Sequence, residues 1–97
     1  MKDFANRNIP EFAAAVQHLG HLTGVECNLN EVPALKAMGL FSLPTISEDL
    51  VRIATKYGIS ENVTTEVESS RRQFVRILNA LIAKGVISES AFDAYFD

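Results

Sequence analysis

The chain has 97 residues, 47% of them hydrophobic and 22% charged, with a net charge of −3 and a single cysteine. This is enough for one domain and too little for two, and the apolar content excludes a wholly disordered chain. The lone Cys27 excludes an internal disulfide and favours a reducing, cytoplasmic setting, while the mild negative charge argues against non-specific binding to nucleic acid or anionic lipid.

The opening MKDFANRNIPEF lacks the apolar core of a secretory signal. The most apolar window, 74–87, is broken by Arg76, Asn79 and Lys84, so no membrane span is expected. Residues 1–8 are polar and read as a frayed end. A first helix is expected from Pro10, which suits a first helical turn because its missing N–H has no intrahelical partner there. Phe12, Val16 and Leu19 form its apolar face, and it stops at Gly20 or runs on through Leu22 to Gly24.

Asn30 can cap a short second helix over 31–38, closed by Gly39, with LFSLP following as an apolar connector. A third helix has a capping-box start at Thr45 and Glu48, with Ser47 as a competing cap and Ile46 stapled to Val51. Leu50, Ile53, Ala54 and Tyr57 give it a buried stripe, and Gly58 with Ile59 ends it. The fourth helix is expected to be the longest, over about 61–84, with Val63, Val67, Phe74, Leu78 and Leu81 near helical spacing and Ile77 and Ile82 widening the stripe. Gly85 ends it, and Ser88 caps a last short helix docked by Phe92, Tyr95 and Phe96. The junctions KYGISE and KGVISE share one turn chemistry without forming a repeat. The expected fold is all-α: one domain over 1–97, a compact bundle of four to five helices in which one long helix is packed by shorter ones.

No motif for catalysis is legible. The serines sit where turns and caps need hydroxyls, and no nucleophile elbow, Walker loop or dinucleotide-binding glycine pattern is present. His18, His21 and Cys27, with Glu26 as a nearby fourth, lack the paired spacing of a structural zinc site. We therefore expect no enzyme, no cofactor and no metal. Ala54, Gly58 and Ile59 sit at helix-turn-helix spacing, making 60–72 a candidate reading helix. That helix carries Glu61, Glu66 and Glu68 before its first base, the wrong sign for a phosphate backbone.

The remaining reading is an interaction surface. Phe74, Ile77, Leu78, Leu81 and Ile82 exceed what two or three short neighbours cover, and Phe92, Tyr95 and Phe96 add aromatic anchors. Arg71, Arg72 and Arg76 would steer an acidic partner onto that surface. The expected function is a non-catalytic protein-binding module, an adaptor, assembly factor or inhibitor of a kind common in phage genomes. Its partner would be another protein or a second copy of itself, and the alternative is a helix-turn-helix DNA-binding regulator.

Overall fold

The computed structural model describes residues 9–27, 43–60, 62–64 and 66–94, with the side chains of Ile9 and Pro10 left aside. Among them lie four helices and no strand: α1 (Ile9–Thr23), α2 (Leu43–Lys56), α3 (Val67–Ala83) and α4 (Glu89–Ala94). The helix expected over 31–38, and Tyr95 and Phe96, fall outside the described residues.

Each of the three longer helices ends as its glycine dictates. At the end of α1, Gly24 takes φ 73°, and its N–H donates to the His21 carbonyl at 3.3 Å while the Val25 N–H reaches back to Gly20 at 2.9 Å. This double bond pattern needs a left-handed residue between its arms, which a side chain disfavours. The same pair of bonds closes α2 at Gly58 and Ile59 and α3 at Gly85 and Val86. The cap of α4 also matches expectation, the Ala91 N–H donating to the Ser88 hydroxyl at 3.1 Å.

Two helix starts depart from the sequence reading. α2 begins at Leu43 rather than Thr45, because Pro44 fits a first turn without losing a hydrogen bond. Ser47, freed from capping, instead donates to the Thr64 carbonyl at 2.7 Å. α3 begins at Val67, six residues later than expected, so it spans 17 residues against 15 for α1 and 14 for α2. It is no single dominant helix. The β-branched Val63 and Thr64 weaken helix formation there, and Gln73 ties the segment down outside the helix. Its amide donates to the Asn62 carbonyl, and its oxygen accepts from the Thr64 N–H at 3.1 Å.

The core sits where α1, α2 and α3 meet, closed at one end by α4. Phe12, Val16 and Leu19 of α1, Ile46, Leu50 and Ile53 of α2, and Phe74, Ile77 and Leu81 of α3 are wholly buried. Phe74 is the hub of an aromatic cluster: its ring lies edge-on to Phe12 with centroids 5.6 Å apart, and 6.0 Å from Phe92 of α4.

Candidate functional site

The core-facing stripe of α2 leaves a clear outer face. Leu50, Ile53 and Ala54 turn inward, whereas Val51 lies between Glu48 and Arg52 on the solvent side and is 44% exposed. Among the described residues it is the large hydrophobic side chain left exposed. It forms part of an open groove of about 650 Å³ lined by Pro44, Ser47, Glu48, Val51, Arg52 and Val63. Val63 reaches the groove because Ser47 and Gln73 pin the connector on either side of it.

The electrostatics of the groove follow from which charges are already used. Arg52 pairs with the fully buried Asp49 at 2.6 Å, and its other terminal nitrogen donates to the Glu26 carbonyl at 3.0 Å. Burying Asp49 without this partner would cost several kcal/mol, so the guanidinium is committed to the fold. Glu48 stays exposed, and the groove rim is acidic on balance. The Ser47 hydroxyl is likewise engaged, leaving an apolar floor of Val51, Val63 and Pro44 beside one carboxylate.

The side chains singled out in the sequence are distributed differently. Phe74, Ile77, Leu78 and Phe92 are at most 1% exposed, and Ile82 is half-buried against the same core. The apolar stripe of α3 is therefore interior, covered by α1, α2 and α4. The three arginines do not form one patch. Arg71 is buried, its guanidinium carbon 5.8 Å from the centroid of the Phe12 ring, while Arg72 and Arg76 are exposed. Val51, missed as a surface residue, carried one legible signal: an apolar side chain one position off the buried stripe, between two charges.

The metal and nucleophile readings find no geometry. Among the described residues no group of three or more His, Cys, Asp or Glu side chains could hold a metal ion. The His18 ring lies 5.7 Å from Phe92, and burial lowers its pKa against the opposing effect of its hydrogen bond to the Ala91 backbone. The Cys27 thiol is pushed up to about 11, first by burial and then by Asp49, which keeps it protonated and poorly nucleophilic at neutral pH. Gly58 does make the turn at the helix-turn-helix spacing, yet ten residues, 57–66, separate α2 from α3. A compact helix-turn-helix uses a turn of three to four.

Comparison with known proteins adds nothing to this geometry: no protein-family model, no curated protein and no solved structure matches the chain.

Proposed function

We propose that the protein is a non-catalytic protein-binding module, a small adaptor, assembly factor or inhibitor, that docks another protein across the outer face of α2. The observation that supports this reading is Val51, left exposed in an otherwise polar helix face and set into a groove with Pro44 and Val63. Protein interfaces bury an apolar centre inside a polar, solvent-accessible rim, and an exposed aliphatic side chain in a recess beside a carboxylate has that layout. Because Asp49 pairs with Arg52 and no described residue pairs with Glu48, the fitting partner presents an aliphatic side chain flanked by lysine or arginine.

The test compares tagged wild type, Val51→Asp and Thr55→Asp in pull-downs with and without nuclease. Both substituted positions are exposed on α2, so both variants should fold, which circular dichroism verifies. A stoichiometric protein that survives nuclease, is retained by Thr55→Asp and is lost by Val51→Asp supports the module. Equal recovery with all three proteins removes α2 as the docking face. Recovery only without nuclease replaces the reading by the DNA-binding one.

A further inference from the structure

The outer stripe of α2 itself carries the features that its groove asks of a partner. Pro44, Glu48, Val51 and Thr55 recur at intervals of three and four residues, so they share one face of the helix, and all four are exposed. Arg52 lies at the edge of that face, on the same side as Glu48. The face thus presents an aliphatic side chain with a carboxylate before it and a guanidinium after it.

That arrangement is complementary to itself. When two such helices pack antiparallel about a two-fold axis near Leu50, a residue before the axis meets the residue equally far beyond it in the other copy. Glu48 then stands opposite the partner's Arg52, and Pro44 beside the partner's Thr55. The two Val51 side chains meet at the centre, over the apolar floor that Pro44 and Val63 give each groove. A parallel pairing brings carboxylate level with carboxylate and has no such match. Arg52 can serve two contacts at once: its bonds to Asp49 and to the Glu26 carbonyl use two of the five guanidinium N–H groups, and its side chain stays 42% exposed.

We infer that the outer face of α2 is a self-association surface, covered in the free protein by a second copy of this chain in a two-fold dimer. The inference rests on the reading of that face as a docking site, and it names what occupies the face until another protein competes for it. Exposed ion pairs add little affinity, and one valine from each copy makes a small apolar centre. The dimer is accordingly weak, with a dissociation constant on the order of 0.1 mM.

The experiment is sedimentation equilibrium of the full chain from about 10 µM to about 1 mM, which brackets that constant. The variants are Val51→Asp, Glu48→Arg and, at an exposed position of α3, Asn79→Asp, each checked for its fold by circular dichroism. Wild type and Asn79→Asp should pass from monomer to dimer across the range. Val51→Asp should stay monomeric, because it sets two carboxylates together at the two-fold axis. Glu48→Arg opposes like charges and should weaken association roughly tenfold. In a mixture of isotope-labelled and unlabelled wild type, the Val51 methyl groups of the two copies should give an intermolecular nuclear Overhauser effect. A wild type that is monomeric throughout, or a dimer that folded Val51→Asp or Glu48→Arg leaves intact, overturns the inference. If a monomeric wild type still captures a protein that Val51→Asp loses, the docking face stands and only the self-association falls. A dimer that depends on Val51 and captures no other protein supports the self-association and removes the separate partner.

Discussion

The Tyr57 hydroxyl donates to the Thr23 carbonyl at 2.9 Å, so the residue just past the end of α2 closes the end of α1. Lys56 donates to the same oxygen at 2.9 Å, and its ammonium lies 5.6 Å from the Tyr57 ring centroid. One carbonyl with two lone pairs thus joins two helix ends. Because either donor alone still satisfies it, Tyr57→Phe and Lys56→Met should each cost about 0.5–1 kcal/mol. The double variant leaves the oxygen without either donor, and its cost should exceed the sum of the two. A double-mutant cycle by urea unfolding measures that coupling.

Gly20 is the most closely packed glycine among the described residues. Besides the Cys27 sulfur, an added Cβ would meet the Val25 carbonyl oxygen at 2.9 Å. Gly20→Ala should therefore destabilise the protein by about 1–3 kcal/mol, despite alanine's better helix propensity. Cys27→Ala in the same chain should restore part of the loss by removing the nearer of the two atoms. Thermal unfolding of the three variants checks this order.

His18 gives stability a dependence on pH. Its pKa is lowered in the folded state from 6.5 by burial, so the unfolded chain binds the proton more readily. The contribution is present in full above about pH 6.5 and is lost as pH falls through the lower folded value. The Tm of wild type should fall between pH 7 and pH 5 by more than that of His18→Gln. Parallel decline in both proteins would assign the whole effect to carboxylates.

Cys27 works in the opposite sense. With its pKa raised from 9.0 to about 11, the neutral thiol favours folding below pH 9, and that contribution is lost as pH rises towards 11. Iodoacetamide at pH 8 should label the native protein far more slowly than the urea-unfolded chain, since the thiolate is the reactive form and Cys27 is only 5% exposed. Equal rates would show that the segment opens freely.

Phe74 separates the two roles an apolar helix stripe can have. Placed between Phe12 and Phe92 and wholly buried, it should cost about 3–5 kcal/mol on replacement by alanine, most of the stability of so small a domain. Loss of the folded circular-dichroism signal at 25 °C is the expected outcome.

What the sequence determined by itself is local. The stops at Gly58 and Gly85, the latches after them and the Ser88 cap are each specified by residues within about six positions of one another, and all are present in the fold. The all-helical class follows from the same signals. Tertiary structure decided what needs distant residues. The stripe of Phe74, Ile77 and Leu78 looks the same from sequence whether it meets a partner or its own core, and only the placement of α1, α2 and α4 made it interior. The start of α3 was moved to Val67 by hydrogen bonds from Ser47 and Gln73, 17 and 9 residues away from Thr64. Arg71, read with its neighbours as a surface cation, was drawn under by the Phe12 ring of another helix. Burial is a property of neighbours in space, and a periodic pattern says which residues share a face without saying what that face meets.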